Sequence, residues 1–307
     1  MEKGRGVIMK LNPVYQKELK TSIRSIRTAV LLFGYNGLLA LFGLFAFYVT
    51  FEYESRYGGT VRYSDILQIY AILAAVEFGL VLFTVPALTA ASVSGEREKQ
   101  TLEILLTTRL SPLRIVLGKL ASSISLMILL AFSSLPILAL TFSIGGITFR
   151  DLLEFMILII VTAIFIGSIG IFFSTLFRRT TAATVATYGT LLLIGIGTVI
   201  ILYAVSVVLG LKINRFTAPD GIKQTPNVGS WILILLVNPA VSCFSMIEDQ
   251  IGTGSRLLSF FRNFGTIPEG FIDIWFHLSM MLQLMIASVL LWVSGRLLNP
   301  LRKSRKD

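Results

Sequence analysis

Six long apolar runs decide what this chain can become. They occupy roughly residues 30–50, 66–91, 113–141, 152–176, 181–209 and 272–295, and each reaches the about 20 residues that an α-helix needs to cross a bilayer. Hydrocarbon offers no partner to a backbone N–H or C=O, so such a run must satisfy its own polar groups by coiling into a helix. A transmembrane β-barrel would alternate apolar and polar residues, and these runs do not alternate. Composition agrees. With 54% hydrophobic and 14% charged residues and a mean hydropathy of +0.80, the 307-residue chain has too little polar surface to cover a soluble domain. The expected fold is all-α and integral to the membrane, one transmembrane domain over 1–307 with six spanning helices.

Charge sets the orientation. The residues that follow the start of the first run, "LFAFYVTFEY", hold no small-residue cleavage pattern, so this run reads as an anchor and not as a removed signal peptide. Of the 27 lysines and arginines, seven precede the first run, five lie in 92–119, two are Arg178 and Arg179, and five follow the last run. The remaining connections are poorer in them for their length. The positive-inside rule therefore places both termini and the 92–119 connection in the cytoplasm. The formal charge of +10 is accounted for by topology, and no nucleic-acid partner is expected.

One stretch tests the count of six. "WILILLVNPAVSCFSMI", 231–247, is apolar, but Asn238 and Pro239 interrupt it, and proline removes an amide donor and disfavours helix at the preceding residue. A seventh span would also put the basic C-terminus outside. Residues 210–271 are therefore expected to form an external region with a broken or re-entrant hairpin before the last span. Cys243 is the sole cysteine, so no disulfide within the chain can staple it.

Near the start, Asn12 can cap a helix and Pro13 fits its first position. Lys17, Lys20, Arg24 and Arg27 then recur on one face, with Tyr15, Leu19, Ile23, Ile26 and Val30 on another. This spacing predicts an amphipathic helix over 10–29, lying on the inner leaflet of the lipid bilayer. A basic tail that only sets topology is the compatible alternative.

The most unusual feature is a block of charge between two spans, "SGEREKQTLEILLTTRLSPLRIVLGKL", 94–120. Ser92 or Ser94 can cap a helix, Glu96 and Glu98 suit its positive N-terminal end, and Pro112 re-aims the chain. Leu102, Leu105, Leu106 and Leu110 share a face, leaving Arg97, Lys99, Gln100 and Glu103 largely on others. A short amphipathic helix over 95–110 follows. Only Glu77, in "AILAAVEFGLVLF", lies deep within a span. An ionised carboxylate there is costly, so it must be protonated, paired or facing a wet cavity. Two readings stay open: a structural hydrogen bond to a neighbouring helix, or a place on a pathway or subunit interface.

The block at 94–120 resembles the segment between the second and third spans of ABC-2 type exporter permeases, with its Glu-rich start, Thr-Leu-Glu, Leu-Leu-Thr, Ser-Pro and Gly-Lys. "NPVYQKELK" with "RSIR", and "STLFRRTTAATVATYGTLLL", are similar to further stretches of that family. The resemblance implies the membrane subunit of an ATP-binding cassette exporter in the cytoplasmic membrane. It implies a coupling helix in which Glu96, Arg97, Glu98, Thr101, Leu102, Glu103, Leu105 and Leu106 dock on a separate ABC ATPase subunit, and a second permease subunit, the same or homologous, as partner. Gln100 stands where glycine is expected, which would leave the start of that helix less kinked. The chain itself has no G-x-x-x-x-G-K-[ST], so it binds no nucleotide by that route, and ATP and Mg are expected on the partner. His277 is the only histidine and no H-E-x-x-H occurs, so no metal, cofactor or catalytic residue is expected here. The rival classes are an ion- or proton-coupled carrier, which should show several midplane ionisable groups and broken helices in matched halves, and an intramembrane enzyme.

Overall fold

The computed structural model describes residues 12–57, 63–107, 110–144, 147–217, 228–252, 260–261, 264 and 269–298. Among these every regular element is helical. Helix α1 (Pro13–Ile23) is followed by α2 (Ile26–Tyr57), α3 (Tyr63–Thr89), the short α4 (Ser94–Glu98) and α5 (Leu102–Leu106), then α6 (Pro112–Ile144) and α7 (Phe149–Leu176). Helix α8 (Thr180–Leu192) continues through a π-helical turn, Leu193–Gly197, into α9 (Thr198–Thr217). A 3-10 helix (Gly229–Val237), α10 (Pro239–Gln250) and α11 (Glu269–Leu297) complete the order. Helices α2, α3, α6, α7, the α8–α9 unit and α11 contain the six expected runs, and all six are long and apolar enough to cross a membrane. The chain is an all-α, multi-pass membrane protein.

The spans outrun their apolar cores because polar residues extend the helices at their ends. Arg56 pairs with Glu52 at 2.8 Å one turn apart in α2, and Arg150 pairs with Glu154 at 2.9 Å in α7. Thr148 and Asp151 form a reciprocal capping box that starts α7.

Helix α7 is the centre of the bundle. Its most apolar stretch is 78% buried, against 22% in the first span and 17% in the fifth, and it packs on α3, α6, α8 and α11. Lipid tails are as apolar as leucine, so this packing rests on close contact and hydrogen bonds more than on escape from water. Glycine supplies the closeness. A Cβ on Gly170 would collide with Thr89 Oγ1, and one on Gly167 would lie 2.8 Å from Leu120 Cδ1. The central helix thus meets the end of α3 and the start of α6 where the charged connection between them begins. Leu39, Leu73, Val81, Leu130, Phe155 and Phe165 fill the interior on either side of it.

One expectation changes, and the expected break in the apolar stretch before the last span is present. The single helix over 10–29 is broken: α1 ends at Ile23 and α2 begins at Ile26. Ser25 causes the break, because its Oγ accepts from the Arg27 amide at 3.2 Å, while Thr28 Oγ1 donates to the Ser22 carbonyl at 2.6 Å. Residues 10 and 11 lie outside the described residues. The interrupted stretch 231–247 is a bent pair, its two helices meeting at 95°. Asn238 makes the corner. Its Oδ1 accepts from the Ala240 amide at 2.9 Å, starting α10. Its Nδ2 donates to the Gly195 carbonyl at 2.8 Å and to Thr198 Oγ1 at 2.9 Å, which ties the bend to the π turn of the fifth span. Residues 218–227 and most of 253–268 lie outside the described residues.

The crossing at Gly170 yields a test. Gly170→Val forces backbone apart at the end of α3 and should lower the thermal unfolding midpoint of the purified protein, or prevent folding, since overpacking typically costs about 1–3 kcal/mol. Gly34→Val, at a site with nothing within 4 Å of the new Cβ, should leave the midpoint unchanged. Equal behaviour of the two variants would show that the crossing is not close.

Candidate functional site

The charged connection is a helix–turn–helix and not the single helix expected over 95–110. Helix α4 stops at Glu98, and Gln100 takes a left-handed conformation with φ of 56°. The Gln100 amide then donates to the Arg97 carbonyl at 3.1 Å and the Thr101 amide to the Glu96 carbonyl at 2.9 Å. This is a Schellman cap, whose left-handed position is usually glycine. The kink therefore persists although glutamine replaces glycine, contrary to the expectation of a straighter start.

Serine caps α4, but from another helix. Neither Ser92 nor Ser94 caps it. Ser174 Oγ, on the last turn of α7, accepts from the Val93 and Ser94 amides at 2.9 Å each, while Ser94 Oγ turns back to the Ala90 carbonyl. Two further bonds fasten α4 to the turn between α7 and α8. The Arg97 guanidinium donates to the Phe177 carbonyl at 3.0 Å and the Thr175 carbonyl at 3.1 Å, closing the negative end of α7. The Glu98 carboxylate accepts from the Thr180 amide at 2.9 Å and from its hydroxyl, and so supplies the N-terminal cap that α8 lacks from its own Arg179. Two stretches that stand apart in sequence, 94–98 and 174–180, are one structural unit.

A third attachment runs the other way. Lys119, on the second turn of α6, is 2% exposed, and its ammonium sits 2.8 Å from Glu96 Oε1 and 2.8 Å from Glu18 Oε1 of α1. An enclosed ammonium without a partner would cost several kcal/mol, so α1, α4 and α6 are held to one arrangement. Helix α1 is further fixed by Asn12, which donates to the Arg114 carbonyl, and by Tyr15, whose hydroxyl is 3.0 Å from Ser125 Oγ. Gly118 admits the contact, since a Cβ there would lie 2.8 Å from Asn12.

The eight residues expected to face a partner therefore divide. Glu96, Arg97 and Glu98 spend their charge inside the chain, and Leu102 is buried beside Val93, Val116, Leu120, Ile171 and Leu291. Leu105 and Leu106 are half-buried, while Thr101 and Glu103 are exposed. The outward face also carries Lys99, Gln100, Ile104 and Thr107. Ile104, 69% exposed, is the one that leucine periodicity passed over. Lys119 was visible only as the end of the Gly-Lys pair, and nothing local marked Glu18 as its partner.

Lys17, Lys20, Arg24 and Arg27 are all exposed, but the break divides them: Lys17 and Lys20 lie in α1, Arg24 caps its end and Arg27 belongs to α2. Glu77 does not lie on an outer face of the chain: it is 0% exposed between α3 and α6 and accepts from Ser134 Oγ at 2.6 Å. Enclosed by its own chain, it cannot touch a second subunit in this arrangement, and the structural hydrogen bond is the reading the geometry favours. No group of three or more metal-ligating side chains occurs among the described residues.

Two outcomes follow. Gln100→Gly should raise stability by about 1–2 kcal/mol, the ordinary cost of a left-handed non-glycine residue, while Gln100→Val should lower it; matched unfolding midpoints in detergent check both. Glu77→Gln keeps an acceptor for Ser134 and should preserve the midpoint, whereas Glu77→Lys places a charge in an enclosed site and should abolish folding.

A family model described as ABC-2 family transporter protein matches residues 46–294, most of the chain: it takes in the end of the first spanning helix and the five spans that follow. No individual curated protein matches it. Six spanning helices, a charged connection locked between the second and third, and this match over most of the length lead to one conclusion: the chain belongs to the ABC-2 family of transporter proteins.

Proposed function

We propose that this chain is the permease subunit of an ATP-binding cassette exporter, and that ATPase subunits dock on the outward face of α4 and α5. The carrying observation is the set of attachments around α4. Hydrogen bonds continue from the end of α3 into α4, from the Ala90 amide to Pro86 and from the Gly95 amide to Ala91. Arg97 and Glu98 hold the α7–α8 turn, and Glu96 holds α6 and α1 through Lys119. A push on the exposed face at Ile104 is therefore passed to four spans at once.

In this reading ATP and Mg bind the partner, and closure of a pair of ATPase subunits tilts two copies or homologues of this chain against each other. Substrate leaves across the cell membrane. The distribution of lysine and arginine supports a cytoplasmic position for α4, α5 and both termini. The basic face of α1 then meets the inner leaflet. Enclosure of Glu77 gives no support to a carrier driven by several midplane ionisable groups.

The test separates docking from transmission. Ile104→Asp, which leaves every internal attachment intact, should prevent a co-expressed ATPase from co-purifying with the permease. Lys119→Met should keep the ATPase bound but reduce ATP-driven transport at least about tenfold, because one lost positioning contact readily costs 1.4 kcal/mol. Parental recovery of the ATPase with Ile104→Asp would overturn docking at this face. Parental transport with Lys119→Met would overturn the transmission route.

A further inference from the structure

Between α1, the α4–α5 turn and the first half of α6 lies a cavity of about 650 Å³, within the range of small-molecule sites. The proposed docking face borders it, sharing Lys99 and Thr101 at the rim, and leaves its interior unassigned. Lys17 of α1 and Lys99 of the turn both line it. Both are exposed, and among the described residues neither forms an ion pair. Lys119 lines the same cavity together with Glu18 and Glu96, its two carboxylate partners. Three lysines against two glutamates leave the lining with one unmatched positive charge. Hydroxyls accompany it, among them Ser122 and Ser123 on α6.

We propose that this cavity binds the phosphodiester headgroup of a membrane phospholipid. A phosphodiester carries one negative charge and acceptor oxygens only at its phosphate, which match the unmatched lysine charge and the serine donors. The source is the bilayer, because the remaining wall is apolar and includes Leu88 near the end of α3 and Leu126 of α6, both within candidate spans. A glycerol backbone and the first methylenes of its acyl chains fit against those leucines, and a soluble phosphate would leave them wet. The occupant would touch α1, α4–α5 and α6 together, at the place where the Lys119 ammonium already joins them. This is a defined site, unlike the diffuse attraction of the exposed basic face to any anionic surface.

The experiment uses the purified chain without an ATPase, so its result is independent of the docking proposal. Protein delipidated in detergent is given phosphatidylglycerol, and the lipid retained is counted by native mass spectrometry. The double variant Lys17→Gln, Lys99→Gln should retain about tenfold less than the parent. Lys20→Gln with Arg24→Gln removes the same charge from exposed positions outside the cavity and should retain lipid as the parent does. An unchanged unfolding midpoint in lipid-free detergent verifies that both variants fold. Equal loss in the two variants would show unspecific surface attraction, and no loss in either would show that the cavity holds no lipid. Stabilisation by glycerol phosphate equal to that by phosphatidylglycerol would assign the site to a soluble ligand. Each of these three results overturns the proposal.

Discussion

An ammonium shut away from water must have a counter-charge, and at Lys119 that requirement organises one whole end of the molecule. The two carboxylates that meet it come from different helices, one preceding the first span and one following the second. Neither pairing is local, at 101 and 23 residues of separation, so both form only once α1 and α4 have come to rest on α6. An ion pair of this kind contributes specificity more surely than stability. Its effect is to permit one mutual placement of three helices and to penalise others.

The same logic recurs at the neighbouring turn. Helix ends leave backbone groups unsatisfied, and here those ends are closed by side chains from elsewhere: Ser174 for α4, Arg97 for α7, Glu98 for α8. Short helices such as α4 and α5 are marginal alone. They persist because α4 borrows its cap from α7 and because Val93 and Leu102 are buried against Val116, Leu120, Ile171 and Leu291 of long helices. The glycine crossing at Gly167 and Gly170 brings those long helices near enough for the exchange.

Why some features were legible in the sequence and others were not follows from range. Apolar length is a local property with one physical solution in lipid, so all six spans could be read, as could Asn12 with Pro13 and the corner at Asn238 and Pro239. Helix continuity was misjudged where a polar side chain competes for backbone over two or three residues, as Ser25 does, or where a left-handed residue is not glycine, as at Gln100. The roles of Glu96, Arg97 and Glu98 were unreadable for another reason. Their partners lie about 80 residues away or on a different span, and a charged residue looks the same in sequence whether it faces a partner protein or its own fold.

The π-helical turn at Leu193–Gly197 has its own consequence. A π turn holds one residue more than an α turn, and one residue is about 100° of rotation. The fifth span is thus two helical phases joined end to end. The side of α8 that meets α3 and α7 does not continue as the same side of α9, which instead turns toward the 3-10 helix. With Asn238 holding the Gly195 carbonyl, the phase boundary is pinned at one height in the span. A single-residue deletion within 193–197 would merge the phases and swing every side chain of α9 to a new azimuth, while α8 stayed in place.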